Sequence, residues 1–125
     1  MLEAIQDNLG LFTNPAMNVV NGLVLQKLAL DAGYDSVKSF TKEIGISRTQ
    51  SYREFRVTGV IRDRLLVLLR IHRNAQRLYS SEPDAPIRWL TAPNGRFYNL
   101  SPFMMALSGR GKTVYELQEE LLGNT

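Results

Sequence analysis

The chain has no cysteine and a single histidine, His72. The first absence excludes disulfide scaffolds, Cys-ligated zinc and iron–sulfur clusters, and the second excludes any site that needs two imidazoles. Tryptophan is as scarce, with Trp89 alone. Long apolar runs are also missing. The longest, Leu65–Leu69, falls far short of the roughly 20 residues that span a bilayer. The start, Met1-Leu2-Glu3-Ala4, lacks the basic flank and apolar stretch of a signal peptide. A cytoplasmic protein with no membrane association is expected. The 125 residues, 44% hydrophobic and 22% charged, suffice for one ordinary domain or two small ones and exclude global disorder.

Charge is spread unevenly. Residues 36–80 carry ten Lys or Arg against Glu43, Glu54 and Asp63, a local net charge of +7, whereas the whole chain carries +3. A basic middle between acidic flanks suits a polyanion; a solvated arginine face or an acidic protein partner would look the same.

Helical spacing recurs and strand-like alternation is nearly absent, so the expected fold class is all-α. Thr13-Asn14-Pro15 signals a helix start, and a first long helix is predicted from about Ala16 to Ala32, with Val20, Leu23, Val24 and Leu28 inward. Ser36 is a good N-cap for a second helix over 37–44, ended by Gly45. Ser47 would start a third, through about Phe55. The clearest helix spans about Val60 to Tyr79, with Val60, Leu65, Leu68, Ile71 and Ala75 among the residues of its inward face. Arg62, Arg70, Arg73 and Arg77 lie opposite, and Leu66 and Leu69 fall near that arginine side. Ser80–Pro86 reads as a boundary, followed by short helices near 87–91 and after Ser101-Pro102 and a last one near 113–122. The organisation expected is an amino-terminal segment 1–15, a helical unit 16–80 and a smaller one 84–125.

Residues 37–55 have the layout of a helix-turn-helix, with Gly45 in the turn. On a second helix, Arg48, Thr49, Tyr52, Arg53 and Arg56 would share one outward face, the composition a major-groove reader uses. An ordinary helical corner with a basic exposed face is the plainer alternative. Thr41, where the motif normally has a small residue, and Ser51, where it has an aliphatic one, favour that alternative.

The carboxy-terminal third carries Trp89-Leu90, Pro93-Asn94, Ser101-Pro102, Leu107 and Gly111, in that order. This string resembles the toxin-binding domain of the Xre/MbcA/ParS antitoxin family, in which a helix-turn-helix and a basic connecting helix precede that domain. It departs from the family in having Arg96-Phe97-Tyr98-Asn99-Leu100 where Leu-Gly often precedes the Ser/Thr-Pro. The resemblance implies a helix-turn-helix bundle followed by a small helical toxin-binding domain. It also implies a partner encoded alongside, typically a RES-domain toxin that consumes NAD⁺, whose active site the antitoxin covers. On that model the toxin-contacting set is Trp89, Asn94, Arg96, Phe97, Tyr98, Arg110, Gly111, Lys112 and Asn124. The concentration of aromatic, Met and Arg residues in a unit of this size fits an interface or a core shared with the first unit, with Trp89 and Phe103 inside it.

Catalytic signatures are lacking. Ser108–Thr113 resembles a phosphate loop, yet Ala106 stands where its first glycine would be, and Val114 breaks a dinucleotide fingerprint. His72 reads as structural, and Glu116, Glu119 and Glu120 as a solvated face. The expectation is a non-enzymatic antitoxin with no metal and no cofactor. It would neutralise a toxin, bind operator DNA as a homodimer and repress its own operon. The alternatives are a stand-alone helix-turn-helix regulator and a protein-interaction adaptor whose helix-turn-helix no longer binds DNA.

Overall fold

A computed structural model describes residues 7–47 and 49–123. Helices dominate, with one small antiparallel sheet ordered β1 (Phe12–Asn14), β2 (Val19–Asn21) and β3 (Glu54–Arg56). The fold is therefore mostly helical and not strictly all-α.

The sheet stands where two helices were expected to run on. Asn14 caps a 3₁₀ turn, Pro15–Met17, by accepting from the Met17 amide, and Asn18 follows in the left-handed region at φ 58°. Asn21 then accepts from the amides of Leu23 and Val24 and starts α1 (Gly22–Asp31). Asn14 and Asn21 thus offer the backbone local hydrogen bonds that compete with a helix, and the β-branched pair Val19-Val20 takes the sheet. The late start also rotates the buried face to Leu25, Leu28 and Ala29, and Leu23 points outward, 56% exposed.

The second helix forms as expected. In α2 (Val37–Ile44) Ser36 and Ser39 exchange side-chain-to-amide bonds, and Gly45 takes φ 79° at the carboxy end. The third does not run to Phe55. Ser47 and Gln50 do cap each other, but only one 3₁₀ turn, Gln50–Tyr52, follows before the chain extends into β3. Tertiary pairing overrides the local signal: Phe55 sits opposite Val20 in the sheet and both are buried. The turn is also pressed onto the start of α1. A Cβ on Gly22 would lie 2.6 Å from the carbonyl oxygens of both Ser51 and Arg53.

The long helix α3 (Gly59–Leu78) contacts α4 (Ala85–Thr91), α5 (Pro102–Leu107) and α6 (Gly111–Leu121), so it buries a wide arc. That arc includes Leu69, expected near the arginine side, together with Leu65, Leu68, Ile71 and Ala75. Val60, expected inward, is exposed at the first turn. The core is continuous across the expected boundary. Tyr34 meets Phe40 and Phe103 edge-on, with ring centroids 5.2 and 6.5 Å away. Phe103 is fully buried, whereas Trp89 is half-buried and lies against Tyr79. Among the described residues no helix is long and apolar enough to cross a membrane.

Candidate interaction surfaces

Three arginines of the basic middle have partners within the molecule. Arg62 donates from Nε to Asn18 Oδ1 at 2.8 Å and ties α3 to the β1–β2 connection. Arg64 donates from Nη1 to the Leu107 carbonyl at 2.9 Å, satisfying the end of α5. Arg70 pairs with Glu119 at 3.3 Å and lies over the Tyr115 ring, 4.0 Å from its centroid. Arg73 and Arg77 remain exposed on α3.

The expected DNA-reading set is dispersed by the loss of the third helix. Thr49 and Tyr52 are exposed at the 3₁₀ turn, Arg53 lies at its end, and Arg56 closes β3. Strand alternation sends Arg53 and Arg56 to opposite sides of the local backbone, so the four do not share a helical face. Arg48 lies outside the described residues.

Four members of the toxin-contacting set are brought together in the loop between α4 and α5. Asn94 organises it. Its side chain accepts from the Arg96 amide at 2.9 Å, its amide donates to the Leu100 carbonyl at 3.2 Å, and its carbonyl accepts from Phe97 and Asn99. Phe97 is buried and anchors the loop from below. Arg96 is exposed beside it. Tyr98 is 90% exposed and held in the left-handed region at φ 55°, followed by Asn99 at φ 64°. For a non-glycine residue that conformation costs roughly 1–2 kcal/mol, and this ring recovers little of it by packing.

Trp89 sits on α4 against Tyr79, and Arg110, Gly111 and Lys112 lie around the start of α6. Gly111 is buried, and a Cβ there would stand 2.5 Å from Val67 Cγ1. Arg110 is exposed and donates to Ser108 Oγ, and Lys112 is exposed and pairs with Glu116 at 3.7 Å. A cleft of about 150 Å³ opens here between Asp63, Arg64, Val67, Ala106 and Lys112. Its two cations, Arg64 and Lys112, have partners within the chain, and the packing on Val67 requires glycine at 111. Asn124 lies outside the described residues.

Two features carried little sequence signal. Arg64 looks like any other arginine of a basic helix, although it joins α3 to the end of α5. The left-handed Tyr98 was foreshadowed only by the asparagines at 94 and 99, a residue type common in such loops. His72 is buried, and that burial lowers its pKa below the usual 6.5 against a weaker opposing pull from Asp7. It is neutral in the fold at neutral pH and lies on the core side of α3.

No protein-family model matches the chain, and neither the curated proteins nor the solved structures contain a match.

Proposed function

We propose that the protein is a binding inhibitor of the antitoxin type, whose carboxy-terminal helices present the 94–100 loop to a cognate toxin and cover its active-site cleft. The observation that carries this reading is Tyr98. It is an aromatic ring held almost wholly in solvent, in a backbone conformation that costs stability, on a loop fastened by Asn94 and Phe97. A residue that costs the fold energy and buries little within it suits an anchor that is buried elsewhere. The neighbouring Arg96 adds the other side chain that interface hot spots favour. A toxin that consumes NAD⁺ remains the expected partner on the resemblance of residues 86–122.

The test is co-expression with the product of the adjacent reading frame. Growth rescue and co-purification are expected from the native chain, and their loss from Tyr98→Ala. Rescue by Tyr98→Ala at native strength overturns the assignment of this loop.

A second reading, operator binding, rests on the +7 charge of residues 36–80 and the exposed Tyr52, Arg53 and Arg56. Of the expected motif, this reading uses only the short helix α2 and the left-handed Gly45 that ends it. DNA would then meet a turn and a strand rather than a recognition helix. On this reading Arg53→Ala with Arg56→Ala lowers operator affinity and flattens its salt dependence; an unchanged salt slope removes it.

A further inference from the structure

The open edge of the small sheet carries a self-complementary pattern. β3 is paired on one side only, to β2, with Val20 opposite Phe55 and Asn21 opposite Glu54. The Val57 amide donates to the Asn18 carbonyl at 2.9 Å, and the Gly22 amide donates to the Arg53 carbonyl at 3.0 Å. Antiparallel ladders alternate, so residues 53, 55 and 57 direct their backbone groups towards β2. The N–H and C=O groups of Glu54 and Arg56 therefore face the open edge. Both residues are exposed, and neither side chain makes an ion pair among the described residues.

We propose that β3 pairs with β3 of a second copy of this chain, antiparallel about a two-fold axis at Phe55, forming a homodimer. In that register Glu54 meets the partner's Arg56 as a mutually hydrogen-bonded pair, and Arg56 meets the partner's Glu54 likewise. Opposite charges then face each other on both sides of the axis. The neighbouring two-fold registers, centred on Glu54 or on Arg56, place like charges directly opposite and are disfavoured. Charges on an edge strand ordinarily blunt it, most often as lysines that repel any second strand. An alternating acid and base repel nothing in the Phe55-centred register. The two-fold axis also consumes the edge, so association closes at two copies.

The other edge is less suited. β1 is uncharged and its pairing to β2 is irregular between Phe12 and Asn14. The proposal does not depend on the toxin reading, because it draws on the middle third of the chain and a different observation.

Sedimentation velocity of the full chain over a concentration series tests it. The native chain is expected to be a dimer. Glu54→Arg and Arg56→Glu each place like charges across the axis and should weaken dimerisation about tenfold or more. An equimolar mixture of the two single variants restores complementarity and should recover the dimer as a heterodimer. Both positions are exposed, and a circular dichroism spectrum matching the native one confirms folding. A native chain that is monomeric throughout overturns the proposal. So does a mixture that associates no better than its components.

Discussion

Gly111→Ala sets two effects of opposite sign against each other, and the geometry decides between them. Gly111 opens α6 without a left-handed φ, so alanine brings no backbone strain there. Helix propensity alone would then favour alanine by up to about 1 kcal/mol. Sterics oppose it. The added methyl lies 2.5 Å from Val67 Cγ1 and 3.2 Å from Ala106 Cα, against the roughly 3.5–4.0 Å of an ordinary carbon contact. Val67 is β-branched on a helix and has one strongly preferred rotamer. Ala106 Cα is backbone and moves only with α5. Overpacking of this kind costs about 1–3 kcal/mol, so a net loss of about 1–2 kcal/mol is expected. In urea the midpoint should fall by about 1 M, given a slope of about 1–3 kcal/mol/M for a small domain. Val67→Ala removes the nearest atom, and the double variant should be more stable than the two single losses added together. A Gly111→Ala protein as stable as the native chain would refute the steric argument.

Two further predictions concern buried polar groups. His72 has a folded pKa below its unfolded 6.5, so the unfolded chain binds the proton more tightly. Stability from this group is complete above about pH 6.5 and declines as the pH falls from there through the folded pKa. Urea midpoints measured from about pH 8 to 5 should show that decline, and His72→Gln should flatten it; an identical slope in both proteins would contradict the assignment. Gln118 is fully buried and donates from Nε2 to the Ile71 carbonyl at 2.9 Å, and its Oε1 has no partner among the described residues. Gln118→Met keeps the volume and removes that desolvated acceptor. Thermal melts should show it neutral or up to about 1 kcal/mol more stable, with Gln118→Ala losing about 2–3 kcal/mol. A methionine variant that falls with the alanine one would show that the amide hydrogen bond is essential.

The elements read correctly from sequence are those whose signals lie within the element itself. Ser36 and Gly45 bound α2, the apolar spacing from residue 60 onward marks α3, and Ser101-Pro102 opens α5 with the Ser101 side chain accepting from Met104. The misread ones depend on distant partners. Ser47 caps the segment after it, but the helix expected there stops at one turn, and pairing of Phe55 with Val20 pulls residues 54–56 into a strand. Leu69 falls among arginines on a helical projection, yet it is buried because several elements wrap α3. At the candidate loop, the residue types were legible and the division of labour was not. Phe97 and Tyr98 are adjacent aromatics, and only the fold turns one inward and the other out.

The central claim is that Tyr98 pays a conformational cost to the fold in return for contact with a partner protein, and Tyr98→Gly tests both halves at once. Glycine removes the left-handed strain, so the urea midpoint should rise by an amount corresponding to about 1 kcal/mol. Loss of the ring should weaken binding to the purified product of the adjacent reading frame by about 30-fold or more, the equivalent of about 2 kcal/mol at an interface anchor. A glycine variant that binds this partner as tightly as the native chain would contradict the account, and so would a native chain that does not bind it.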